Sequence, residues 1–123
     1  METNEKVIQG RKNRLKGLAF ERKVRKDLEM KGWLVSKWQN NIEEGECVQA
    51  KMGKFRTNQN GFPDFICYRE KKALYEVIFI EVKMNGYLKP EEKEKAKWYL
   101  DNNYCSEFFV GSLLNQKINY KRI

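Results

Sequence analysis

The run Val77-Ile78-Phe79-Ile80-Glu81-Val82-Lys83 constrains the fold more than any other segment. Side chains on a strand alternate between two faces, so Val77, Phe79, Glu81 and Lys83 share one face while Ile78, Ile80 and Val82 share the other. Both faces begin apolar, the pattern of a central strand covered on each side, and this predicts an α/β architecture. Glu81 and Lys83 prolong a row that starts in the core. A charge in that position is costly unless it is paired or meets a metal.

Upstream, Gly61-Phe62-Pro63-Asp64 offers a second carboxylate. Proline cannot donate to a sheet ladder and belongs at a strand's first residue or edge, so Asp64 is predicted to open a strand over Phe65-Ile66-Cys67-Tyr68. Arg69 to Ala73 reads as a polar turn that folds the next strand back alongside, so that Asp64 and Glu81 converge. A hard cation such as magnesium is usually held by one or two carboxylates together with waters and substrate phosphate. Asp64 and Glu81 meet that count, with the backbone carbonyl of Val82 as a further oxygen. Beside such a cation, Lys83 would orient the water or neutralise developing charge. The chain has no histidine, which excludes a histidine base, a phosphohistidine and histidine-ligated zinc.

A helix is predicted over Arg11 to Lys31, which lacks proline and stops at Gly32. Leu18, Val24 and Leu28 recur at helical spacing, and Glu21 falls among them. Two readings of Glu21 stand side by side: a third acid for the site, or a surface partner of Arg25 one turn on.

Taken together, Gly17-Leu18-Ala19-Phe20-Glu21, Gly61-Phe62-Pro63-Asp64, Phe79-Ile80-Glu81-Val82-Lys83 and Leu88-Lys89-Pro90-Glu91-Glu92-Lys93 resemble the PD-(D/E)xK nuclease superfamily. Within it, the chain looks most like archaeal Holliday-junction resolvases and virus-type replication-repair nucleases, from about Gly17 to Gly111. The resemblance implies a restriction-endonuclease-like αβββαβ core, with a mixed central sheet flanked by helices. It implies cleavage of DNA with Mg2+ or Mn2+, Asp64 and Glu81 as metal ligands, and Lys83 assisting the water. Glu21 becomes an additional, often water-mediated, metal partner. Branched or otherwise structured DNA is the implied substrate and a homodimer the implied assembly. Two positions depart from or only loosely follow the pattern: Glu92 stands where virus-type members carry glutamine, and Ser36 is matched to a resolvase serine. A less selective repair or restriction-type nuclease, and a catalytically silent DNA-binding module of the same fold, are the competing readings.

Charge gives an independent line. From Lys6 to Lys37 there are eleven Lys and Arg against three acids, and the remainder of the chain carries fourteen of each sign, so the whole net charge of +8 lies in the first third. A basic face beside a carboxylate site is the footprint expected for a polyanion. Lys12, Arg14, Lys16, Arg22, Lys23, Arg25, Lys26 and Lys37 are candidate DNA contacts, the kind that position a backbone without reading its sequence. Between Asn40 and Asn60 periodicity is lost, as in a functional loop. There Lys51, Lys54 and Arg56 are candidates to track a DNA backbone, and Cys47 to Met52 reads alternatively as part of a short hairpin.

A chain of 123 residues, 41% hydrophobic, suits one domain over residues 1–123 with a core of about 11–113. Pro90 suits a helix's first turn, and a second helix is expected from Glu91 to Asn103. A strand follows over Glu107 to Leu113, with Ile118 to Ile123 as an added edge strand. Trp98, Tyr99, Phe108 and Phe109 read as core or dimer surface. Cys47, Cys67 and Cys105 share no close spacing and fit neither a disulfide framework nor a Cys-x-x-Cys site. No apolar run has the length of a signal peptide or membrane span, so a soluble, intracellular protein is expected.

Overall fold

The computed structural model describes residues 3–50 and 61–123. Its elements run α1 (Thr3–Met30), β1 (Leu34–Lys37), β2 (Asn40–Glu43), β3 (Glu46–Gln49), β4 (Phe65–Lys71), β5 (Leu74–Val82), α2 (Pro90–Asp101), β6 (Glu107–Leu114) and β7 (Lys117–Arg122). The architecture is α/β: a mixed five-stranded sheet in the order β1-β4-β5-β6-β7, with the β2-β3 hairpin forming a separate small sheet. β5 pairs antiparallel with β4 and parallel with β6, and α2 supplies the crossover between the parallel strands.

The alternation along β5 sorts the core into two layers. Ile78 and Ile80 pack with Phe20, Val24 and Leu28 of α1, together with Phe65 and Cys67 of β4. Phe79 packs on the opposite face with Ala96 and Tyr99 of α2, Phe108 of β6 and Leu88. β5 is thus the central, doubly covered strand that its sequence predicts. Trp98 and Phe109 pack against these layers, Tyr99 and Phe108 lie within them, and the tail forms the edge strand β7.

The start of α1 and the lengths of β4 and β5 differ most from expectation. α1 starts at Thr3 rather than Arg11; no proline interrupts residues 3–10, and extending a nucleated helix costs little per residue. Its C-terminus closes in a Schellman motif, with the Trp33 N–H donating to the Leu28 carbonyl and the Gly32 N–H to that of Glu29, and with Gly32 at φ 94°. β4 and β5 are longer than predicted because Arg69, read as turn, faces Glu76 in register and pairs with it at 3.2 Å. The turn shrinks to Lys72-Ala73, both at positive φ. Of the two readings of the segment after Asn40, the hairpin is the one found for its described part: Cys47 to Gln49 lie on its second strand, and Glu44-Gly45, both at positive φ, make its turn. Lys51, Lys54 and Arg56 lie outside the described residues.

Among the described residues no helix is long and apolar enough to cross a membrane.

Candidate metal centre

The segment before β4 is fixed by close backbone approach. A Cβ on Gly61 would lie 2.4 Å from the Asn40 carbonyl oxygen and 2.6 Å from that of Trp38, so only glycine fits there. The Phe62 N–H donates to the Asn40 carbonyl at 2.9 Å, and the Phe62 carbonyl accepts the Tyr99 hydroxyl at 2.7 Å. Tyr99 in turn accepts the Trp38 indole N–H at 3.0 Å. α2, the end of β1 and the Gly61–Asp64 turn are therefore tied at one buried phenol.

Asp64 then meets Glu81 through reciprocal bonds. The Asp64 N–H donates to Glu81 Oε1 at 3.0 Å, and the Val82 N–H donates to Asp64 Oδ2 at 2.8 Å. Each carboxylate commits one oxygen to a backbone N–H, and the two carboxyls are close enough to hydrogen-bond each other. Glu81 is 7% exposed. Burial, and then the neighbouring Asp64, hold its carboxyl well above the usual carboxylate range; burial likewise raises Asp64, with Glu21 adding to the effect. The pair therefore holds its protons to a higher pH than ordinary carboxylates do.

Lys83 stands at the end of β5, its ammonium 3.7 Å from Glu81 Oε2 and 2.9 Å from Glu92 Oε2. Partial burial opposes its charge, but Glu92 and Glu81 outweigh that and raise its pKa. Glu92 is doubly engaged: its Oε1 accepts the Lys89 N–H at 2.9 Å at the start of α2. This position, left without a role by its departure from glutamine, proves to hold Lys83. The signal for it was a glutamate three residues after the helix cap, beside Pro90.

Glu21, Asp64, Glu81, Val82 and Lys83 all line one cleft of about 530 Å³, whose α1 wall also carries Arg14. A second cleft of about 330 Å³ opens on the other side of Asp64 and Glu81, under Glu92, Lys89 and Lys95. Glu21 does not pair with Arg25. Its carboxylate is taken by Lys37 at 2.8 Å, while Arg25 donates to the Val35 carbonyl at 3.0 Å. Lys37 and Arg25, both candidate DNA contacts, thus have partners within the protein. Lys12, Arg14, Lys16, Arg22, Lys23 and Lys26 are exposed along α1. Ser36 lies on β1 opposite Ile66, and strand alternation turns it to the face away from Lys37.

Among the described residues, no three His, Cys, Asp or Glu side chains stand close enough to hold a metal by themselves. Two carboxylates do converge, with oxygen donors only, and magnesium asks for no more when waters and substrate phosphate complete its shell. A strand residue's carbonyl points to the same edge as its N–H, so the Val82 carbonyl faces Asp64. The donor set fits a hard divalent cation, whose charge would favour the ionised carboxylates that burial opposes.

No family model matches the chain, and no curated protein and no solved structure is significantly similar to it.

Proposed function

We propose that the chain is a metal-dependent DNA endonuclease with a restriction-endonuclease-like core, using Mg2+ or Mn2+ and acting on branched or otherwise structured DNA as a homodimer. The observation that carries this reading is the locked Asp64–Glu81 pair. A buried and a half-buried carboxyl, both raised in pKa by burial, with Asp64 raising Glu81 further, reduce stability when ionised, and such a sacrifice is characteristic of a site rather than of a scaffold. The basic α1 beside the cleft supplies the complement to a phosphate backbone.

Asp64, Glu81 and the Val82 carbonyl would hold the cation, with Glu21 reaching it through water if Lys37 yields. The cation supplies Lewis-acid polarisation of the phosphoryl oxygen and acidifies its water. Lys83, kept charged by Glu92, is a hydrogen-bond donor at the cleft rather than a base. It orients the attacking water and balances the negative charge gathering on the phosphate as the P–O bond breaks. Arg14, on the cleft wall, positions the strand to be cut.

The test is to incubate the protein with four-way junction, fork, linear duplex and single-stranded DNA, with magnesium or with chelator. Cleavage of the junction alone, requiring metal and abolished in Glu81→Ala, is expected. Equal cutting of all substrates would identify a less selective nuclease. Metal-independent binding with no cutting of any substrate would overturn the enzyme reading in favour of a silent DNA-binding module.

A further inference from the structure

α1 carries two basic faces, and they are chemically distinct. At about 100° per residue, Arg11, Arg14, Arg22 and Arg25 fall within roughly 80° of one another, while Lys12, Lys16, Lys23 and Lys26 fall within another roughly 80°, centred about 125° away. The face between them, Phe20, Val24 and Leu28, is buried in the core. The arginine flank belongs to the catalytic side: Arg14 lines the cleft with Glu21, and Arg22 and Arg25 line a recess with Glu21 and Lys37.

The lysine flank faces elsewhere. Lys23 and Lys26 line a separate cradle of about 460 Å³ between α1 and the β6–β7 hairpin, where Lys117 closes the far wall. The hairpin turn, Asn115 and Gln116 at φ 50° and 62°, brings Lys117 there. Asp27 is the acid on this flank between Lys12 and Met30, and its charge is already met by Lys31 at 2.9 Å, with the Tyr120 hydroxyl donating to it at 2.7 Å. Among the described residues, Lys12, Lys16, Lys23, Lys26 and Lys117 form no salt bridge, and all five are exposed. Four uncompensated lysines on one stripe repel one another, and a solvated face chosen for solubility alone would intersperse acids among them.

We infer that the lysine flank and the β6–β7 turn form a second duplex-binding track, on the opposite side of α1 from the catalytic cleft. This rests on the DNA reading of the cleft and adds to it how the substrate lies. From Lys12 to Lys26 the track runs about 21 Å along the helix, enough for roughly six base-pair steps of one strand's phosphates. With the helix only about 10–12 Å across, one duplex occupies the arginine flank and cleft while a second segment lies along the lysine flank. A straight short duplex engages one flank at a time, and DNA with two arms engages both. Compact, strongly hydrated ammonium groups suit a track that holds backbone without fixing register, whereas the arginine forks beside the cleft fix it.

The test reads binding alone, by fluorescence anisotropy in chelator, so it does not need cleavage. For the unaltered protein, the slope of log affinity against log salt is expected to be steeper by about three to four on a four-way junction than on a duplex of about twelve base pairs, at about 0.9 per phosphate neutralised. In the variant with Lys16, Lys23, Lys26 and Lys117 all changed to alanine, that difference closes. Lys117→Glu, a single change at an exposed turn, narrows it by about one to two. Equal slopes for the two DNAs in the unaltered protein, or a difference that persists in the fourfold variant, would overturn the second track while leaving the nuclease reading standing. Failure to bind either DNA would overturn both.

Discussion

Glu81 is nearly buried next to another carboxyl, and under the proposed function it would also serve as a metal ligand. Its raised pKa has a definite sign for stability. A carboxyl whose folded pKa lies above its unfolded value favours the fold while protonated, and that contribution is lost as pH rises from the ordinary value of 4.5 through the raised one. The metal-free protein should therefore lose stability as pH rises above the ordinary carboxylate range, and Glu81→Gln, which retains an oxygen for the Asp64 N–H, should flatten that loss. Thermal melts in chelator check this; matching pH profiles for the two proteins would contradict it. Glu92 acts at the same scale but through Lys83. Glu92→Gln should lower the cleavage rate about 10–100-fold with little change in manganese affinity measured by calorimetry. An unchanged rate would show that Lys83 needs no partner to hold it.

At the scale of elements, the site is made where three segments meet. β5 brings Glu81, the Gly61–Asp64 turn brings Asp64, and α2 brings Glu92. Tyr99 joins them, since its hydroxyl bonds both Trp38 and the Phe62 carbonyl. Tyr99→Phe would leave an indole N–H and a carbonyl without their partner and should cost about 1–3 kcal/mol. Denaturant titration should show a lower midpoint at unchanged slope; an unchanged midpoint would mean that the phenol is not a tie. Much of this was legible in the chain. The alternation of β5 fixed its central place and the direction of Glu81, and Pro63 placed Asp64 at a strand's start. What was not legible was cross-strand or long-range. Arg69 looks like a turn residue until its register with Glu76 is known, and Lys37 as the partner of Glu21 joins a strand to a helix with no periodic sign. Gly61 is required by the backbone of Asn40, some twenty residues earlier, which no local pattern reveals.

On the scale of the whole molecule, charge and architecture divide the labour. The sheet buries its centre and keeps the costly acids at one end of β5, while the excess positive charge sits almost wholly on α1 and the strand after it. The fold keeps acids and bases apart around the cleft except where they pair directly, Lys83 with Glu92 and Glu81, and Lys37 with Glu21. That separation sets an exposed basic helix beside a cleft lined by carboxyls. The most direct measurement is the anomalous diffraction of a crystal soaked in manganese. A single strong peak is expected between Asp64 and Glu81, about 2.0–2.2 Å from an oxygen of each, absent when Glu81 is changed to alanine. A soaked crystal with no peak between these two carboxylates, or with manganese bound only elsewhere, would contradict the account.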